Sequence, residues 1–244
     1  MRKALEPLIL SWRVPELRNR LMSGELAPGQ KMSLRNVAEA LGTSITPVRE
    51  AVARLVADQS LEVLPNRAVR VPLMTRERFQ ELTTVRLAVE GYAVEEAARW
   101  RTEADLAEMR RFENAFLAQA RSPRPQAECA VRSNKALHFA VYNAAGLPTL
   151  MGIIEGLWLK IGPVLNLDLK ASPERLKTGR AAEYHRRLIA AVEAGDGCAA
   201  RHALVDDIKG AASFIESTGR LLDEAVPVLN RHLARAPVKP TPGL

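Results

Sequence analysis

The feature that most constrains the fold of this chain is a succession of amphipathic segments, separated by short breaks, from Thr75 onward. Apolar residues recur there every three or four positions, which is typical of helices that bury one face. Strand-like alternation of apolar and polar residues is not evident in this part. We predict helices over about residues 76–100, 103–121, 127–145, 147–168, 173–194, 197–217 and 219–234.

Composition also favours a mainly helical protein. Aromatic residues make up only 5% of the 244 residues, whereas Ala, Leu, Glu and Arg abound, and strands prefer aromatic and β-branched residues. The hydrophobic share of 47% and the charged share of 26% are average for globular chains, which excludes wholesale disorder and a disulfide scaffold. The length favours two domains, which we predict over 1–73 and 74–235, followed by a disordered Pro-rich tail over 236–244.

The first of these domains carries a helix-turn-helix pattern. One short helix leads the chain and ends before Gly24. A second apolar stripe, Leu34 to Leu41, follows the capping residue Ser33, and a third begins after a three-residue link with Ser44 or Thr46 as cap. Period-two alternation on both sides of residues 65–68 then predicts a short hairpin. This hairpin is a candidate wing.

The charge balance favours an anionic partner, and solubility alone is the alternative explanation. Lys and Arg number 35 against 28 Asp and Glu, and the sequence pI is about 9.8. More than half of the surplus falls in residues 1–75, so the basic density lies at the N-terminus.

Cysteine use and hydropathy bear on location. Cys129 and Cys198 lack metal-type spacing and fit a reducing compartment. The apolar stretch over 147–159 is too short to span a bilayer, and the N-terminal residues do not resemble a signal peptide. We therefore expect a cytoplasmic protein without a membrane partner.

Two stretches carry a resemblance to a known family. The run SGELAPGQKMSLRNVAEALGTSITPVREAVARLVADQSLEVLPNRAVRV resembles the winged helix-turn-helix of GntR-family transcription regulators, and TPVREA is its most specific part. The later motif Arg86-x-x-x-Glu90 and an N-x-x-x-H segment leading into NAAGLPTL resemble the all-helical effector-binding FCD domain of the FadR-type subfamily. The resemblance implies a mainly α fold, with a winged helix-turn-helix followed by an antiparallel α-helical bundle.

The resemblance also implies partners and DNA-contacting residues. A homodimer would bind double-stranded operator DNA, and a small carboxylic or sugar acid would act as effector. Hydroxyl and guanidinium donors suit phosphates and base edges, and a solvated surface charge is the alternative for each arginine. The implied contacts are Arg35, Ser44, Thr46, Arg49 and, at the wing tip, Arg67.

Three positions depart from the family pattern. Ile45 stands where an arginine is usual, and Ile cannot form the paired hydrogen bonds with which Arg reads guanine. We therefore expect a different operator. Ser60 and Ala68 replace glycines, which would cost about 1–2 kcal/mol each if those positions need a positive φ. A reshaped wing is the expected result.

The helical domain holds a candidate metal site. Members of the subfamily often bind a metal through an Asp and three His, as D-x-x-x-H and two His 22 residues apart; this chain has Asn134 and His138, then His185 and Asp207. Residues four apart share a helix face, and a hairpin turning at Gly195 would bring His185 and Asp207 to one level. Two imidazoles and a carboxylate suit Zn²⁺, Ni²⁺ or Mn²⁺. A metal-free polar cluster is the alternative.

Arg86 is the candidate effector contact. Its motif matches the family and its guanidinium could bind a carboxylate of the ligand. An intrahelical pair with Glu90, four residues later, is the alternative.

Two other classes of function are the alternatives to a regulator. A metal-dependent hydrolase needs a general base beside the metal, and neither an HExxH motif nor a catalytic triad pattern offers one. A helical adaptor with a vestigial DNA-binding domain would leave the basic helix-turn-helix unexplained. The sequence thus predicts a transcription regulator and not an enzyme.

Overall fold

The structure of the protein, a computed structural model, describes residues 16–171 and 180–223, and only the backbone of 166–171. The predicted tail over 236–244, the start of the leading helix and the first residues of the helix predicted over 173–194 lie outside this part. The fold is mainly helical, with a winged helix-turn-helix followed by a helical bundle, as the sequence predicts.

The helix-turn-helix comes from helices that begin where the caps predict. Ser33 caps α2 by accepting a hydrogen bond from the backbone of Asn36, and Ser44 is the N-cap residue of α3. Pro47 lies in the first turn of α3, where the missing N–H has no intrahelical partner to lose. The elements of this part are α1 over residues 16–22, β1 Lys31–Met32, α2 Leu34–Ala40, α3 Ile45–Ala57, β2 Glu62–Val63 and β3 Val69–Arg70.

The wing is a three-stranded antiparallel sheet with the order β1-β3-β2. The predicted hairpin of β2 and β3 is confirmed. Strand β1 was not predicted, because it is only two residues long. The positive φ angles expected at Ser60 and Ala68 lie at other residues. Positive φ angles occur at Gln59 (57°) and Arg67 (61°), each one residue before the predicted Ser60 and Ala68.

In the described part of the chain, six long helices form the bundle. Thr75 caps the first, and Thr102 and Asp105 form a reciprocal capping box at the second. Gly195, with a φ of 75°, and the N-cap Asp196 turn the chain between the last two. These helices are α4 Arg76–Trp100, α5 Glu103–Arg121, α6 Ala127–Asn143, α7 Pro148–Ala171, α8 Arg180–Ala194 and α9 Gly197–Ser217.

The final predicted helix, over 219–234, is wrong in the part that the structure describes. Residues 219–223 are not helical, because the backbone of Leu222 pairs with the segment that precedes α4. Leu222 donates to the carbonyl of Met74 at 3.0 Å and accepts from the N–H of Arg76 at 2.9 Å. This pairing, with Leu221 buried beneath it, outweighs the local helical pattern.

Helix α7 connects the bundle to the DNA-binding part. Gly162 lies so close to α1 that a Cβ atom there would meet the carbonyl oxygens of Leu21 and Met22 at 2.6 and 2.7 Å. Arg18 of α1 forms ion pairs with Glu155 of α7 at 2.9 Å and with Asp58, the C-cap residue of α3, at 3.7 Å. Within the described ranges, no helix is long and apolar enough to cross a membrane.

Candidate functional site

Three predicted ligands meet inside the bundle. His138 of α6, His185 of α8 and Asp207 of α9 offer ligand atoms that all lie within 4.8 Å of one another. Both histidines are buried, and the Asp207 side chain is 15% exposed. The α8–α9 hairpin turns at Gly195, so the two ligands on it stand at one level, as the spacing predicts.

His185 presents an unpaired nitrogen to this cluster. Its Nδ1 lies 2.8 Å from Oε2 of the buried Glu113. A carboxylate oxygen accepts, so Nδ1 is the donor, and in a neutral imidazole Nε2 then carries the lone pair. This Nε2 is buried without a hydrogen-bond partner among the described residues. A carboxylate that holds the far nitrogen of a histidine is the usual support of a metal ligand.

His138 faces Asp207 at hydrogen-bonding distance. The Tyr142 hydroxyl donates its single proton to Glu90 at 2.6 Å and therefore accepts from His138 Nδ1 at 3.2 Å. The Nε2 of His138 lies 3.1 Å from a carboxylate oxygen of Asp207. Two lone pairs at this distance repel unless a proton or a metal ion lies between them.

The charge of Asp207 reflects these surroundings. Burial by itself would raise its pKa, but the hydrogen bond and charge of His138, with His185 and Arg86 further away, outweigh burial and lower the pKa below its ordinary value. The pKa of Tyr142 is raised well above its ordinary value, chiefly by burial and then by Glu90. The tyrosine therefore stays protonated and remains a donor.

Arg86 forms the intrahelical pair that was the alternative to a ligand contact. Its Nε and Nη2 donate to the two carboxylate oxygens of Glu90 at 2.7 and 3.1 Å, and both side chains are buried. Because Glu90 accepts from Tyr142, a chain of polar contacts connects Arg86 to His138 and Asp207. Contact of Arg86 with an effector stays a prediction.

Two polar neighbours of the ligand candidates, Asp206 and His202, lie apart from the cluster, as expected. Asp206 turns away and pairs with Arg187 at 2.8 Å, and His202 lies beside Cys198, 3.8 Å from its sulfur. Asn134 is half-buried one turn before His138 on α6, and its side chain forms no hydrogen bond with other described residues. Its role as fourth ligand stays a prediction.

Sequence reasoning missed Glu113 and Tyr142, the two residues that orient the histidines. A pattern for Glu113 was present, because it occupies the apolar stripe of α5 between Met109 and Phe116, where a charged residue is rarely found without a partner. Tyr142 lies one turn after His138, on the same face of α6.

The five predicted DNA-contacting residues share one property. Each is exposed and has no side-chain hydrogen bond or ion pair with the rest of the described chain. Ser44 does not use its hydroxyl to cap α3, and Ile45, the departure from the family pattern, is 37% exposed beside it. These residues are Arg35, Ser44, Thr46, Arg49 and Arg67.

The winged helix-turn-helix joined to an all-helical bundle defines a class of DNA-binding regulators. Residues 14–71 match the bacterial regulatory proteins of the gntR family, and residues 81–210 match the FCD domain. The chain belongs to the GntR family of transcription regulators and carries an FCD domain; it is a regulator and not an enzyme.

Individual relatives agree with this assignment. The chain is 35% identical over 193 residues to the HTH-type transcriptional regulator McbR of Escherichia coli (strain K12), covering 78% of this chain and 85% of the relative. It is 29% identical over 208 residues to LutR of Bacillus subtilis (strain 168), with 76% and 91% covered. The solved structure of E. coli McbR/YncC superimposes with a TM-score of 0.79 at 30% identity, covering 86% of this chain and 97% of that one.

Proposed function

We propose that this regulator binds operator DNA as a homodimer, and that a small carboxylic or sugar acid, bound at a divalent metal in the bundle, controls its affinity for DNA. The observation that carries the metal and effector part is the buried Nε2 of His185, which has no partner among the described residues and lies beside the His138–Asp207 pair. The family assignment and the unpaired donors of α3 support the DNA part.

The chemistry of the cluster fits a divalent metal. Zinc ligands at about 2.0–2.2 Å from a tetrahedral ion are roughly 3.4 Å apart, and the His138–Asp207 pair is at 3.1 Å. Two imidazoles and a carboxylate suit Zn²⁺, Ni²⁺ or Mn²⁺, and Asn134 is the proposed fourth group. When bound, the ion would supply a positive charge that holds the carboxylate of the effector.

The proposed DNA contacts follow from where α3 begins. Ser44, Thr46 and Arg49 stand at its N-terminal end, which in helix-turn-helix proteins enters the major groove. Arg35 of α2 and Arg67 of the wing are the proposed flanking contacts. In a homodimer the two α3 helices would lie about one DNA turn apart on a palindromic operator.

Two further predictions belong to this proposal. The structure has free Cys129 and Cys198, which accords with the proposed cytoplasmic location and its reduced thiols. The proposed domains, residues 1–73 and 74–235, meet in the segment between β3 and α4.

Arg49→Ala tests the DNA part. We expect a loss of about 1–3 kcal/mol in binding to the operator, because the exposed guanidinium would contact a base or phosphate. Arg54→Ala is the matched control, since Arg54 is an exposed residue in the last turn of the same helix, and it should weaken binding less. Fluorescence anisotropy against the promoter of the regulator's own gene measures both. Equal affinity of wild type and Arg49→Ala would remove Arg49 from the interface, and absence of salt-dependent binding would overturn the DNA proposal.

A further inference from the structure

Unpaired buried polar atoms are concentrated around the His–Asp cluster. In the described part of the chain, four buried side-chain atoms lack a hydrogen-bond partner: Ser60 Oγ, Glu113 Oε1, Trp158 Nε1 and His185 Nε2. Glu113 contacts His185 directly, and the Trp158 ring lies 5.7 Å from the ring of His138. The unpaired atoms of Glu113 and His185 therefore belong to this site, and the ring of Trp158 packs beside it.

These three atoms need different kinds of hydrogen-bond partner. The Nε2 of His185 and the Oε1 of Glu113 are acceptors, whereas the indole Nε1 of Trp158 can only donate. A metal ion can satisfy the lone pair of His185. It cannot satisfy an N–H group, so the indole still needs an acceptor after the metal ligands are accounted for.

Packing holds the indole firmly in place. Trp158 is 2% exposed, and its ring meets Phe139 edge-on at 5.3 Å. The guanidinium of Arg86 lies 5.1 Å from the centre of the ring, in a cation–π contact. Leaving a donor unpaired in such a buried position is unfavourable. A ligand bound beside the indole would therefore be favoured if it offers an acceptor to the N–H.

We infer that the indole N–H of Trp158 donates a hydrogen bond to an oxygen of the acid bound at the metal, which makes Trp158 a specificity-determining residue. This inference rests on the proposed function. Acids that place an oxygen at the indole would bind, and analogues with an apolar or cationic group at that point would be rejected, because the buried N–H would then stay unpaired.

Trp158→Phe is the sharpest variant for a test. It removes the N–H while retaining an aromatic ring for Phe139 and Arg86. Trp100→Phe is the control, since Trp100 is 64% exposed. Full-length, zinc-loaded proteins are titrated with acetate, glycolate and succinate by calorimetry, and zinc affinity is measured separately. Spectra of ¹⁵N-labelled protein follow the indole N–H resonance that the Trp158→Phe variant lacks.

The inference predicts a paired result. The best-bound acid should shift the Trp158 indole resonance, and Trp158→Phe should weaken that acid about tenfold, while zinc affinity and the Trp100→Phe variant stay at wild-type values. Unchanged affinity in Trp158→Phe, together with an unmoved indole resonance, would overturn the role of Trp158 and leave the metal proposal standing. Failure of every acid to bind the zinc-loaded wild type would instead overturn the proposed acid effector itself.

Discussion

Arg67 at the tip of the wing combines a strained backbone with an exposed charge. Its φ of 61° lies in the left-handed region, where residues other than glycine are disfavoured by about 1–2 kcal/mol. The side chain has no partner within the described chain. Retention of a strained arginine at this point accords with the proposed contact to DNA.

Arg67→Gly should therefore separate stability from DNA binding. We expect the variant to unfold with a free energy about 1 kcal/mol higher than that of Arg67→Ala, which keeps the strain and removes the same charge. Both variants should lower the salt dependence of DNA binding by about one ion. Urea unfolding and anisotropy at several salt concentrations provide the two readouts. Wild-type salt dependence in either variant would contradict a phosphate contact.

At the residue scale, sequence predicted the convergence of the three proposed ligands better than the residues that support them. The spacing of His138, His185 and Asp207 sufficed because an α-helix advances by about 1.5 Å per residue and the α8–α9 turn preserves that register. Glu113 and Trp158 lie on α5 and α7. The local spacing of residues does not show which helices pack together, so the place of these two residues at the site could not be predicted. The wing shows the same limit: the positive φ falls on Arg67, although the substituted glycine position is Ala68.

Among the elements, α7 contacts both the proposed metal site and helix α1 of the winged helix-turn-helix. Trp158 lies beside His138, Glu155 pairs with Arg18, and Gly162 contacts the backbone of α1. Arg18 also pairs with Asp58 at the end of α3. A ligand that binds one position of α7 more tightly than another would thus favour one placement of α3. Such a difference in affinity is what allows a ligand to shift a conformational equilibrium.

Gly162→Ala should loosen this connection. The new Cβ would meet backbone atoms of α1 at 2.6 to 2.8 Å, and backbone cannot move aside as a flexible side chain can. We expect a loss of about 1–3 kcal/mol in unfolding free energy. Gly156→Ala is the control on the same helix, since nothing lies within 4 Å of its Cβ, and it should stabilise by up to about 1 kcal/mol. Thermal and urea unfolding compare the two; equal stability would show that α1 does not need the close approach.

Elements with strong caps were predictable, and elements that depend on distant pairing were not. The bounds of α4, α5 and α9 agree with the prediction because Thr75, Thr102 and Asp196 each cap a helix. By contrast, β1 exists only because β3 pairs with it. The helix predicted from residue 219 gives way to backbone pairing of Leu222 with the segment before α4.

At the scale of the whole molecule, the proposed metal would join α6 to the α8–α9 hairpin, which comes much later in the sequence. Its ligands lie on α6, α8 and α9, and the hydrogen-bonded supports Glu113 and Glu90 add α5 and α4. A bound ion would therefore stabilise the bundle against unfolding as well as hold the effector.

The metal content of the protein, purified without chelator, tests the central claim most directly. Elemental analysis should find about one divalent ion per chain in the wild type and essentially none in His185→Ala, because a methyl group cannot replace the imidazole ligand. Asn134→Asp should retain the ion and bind it more tightly, since it restores an anionic oxygen. Metal-free wild-type protein that binds its acid with full affinity would contradict the account and leave His138, His185 and Asp207 as a polar pocket that holds the ligand directly.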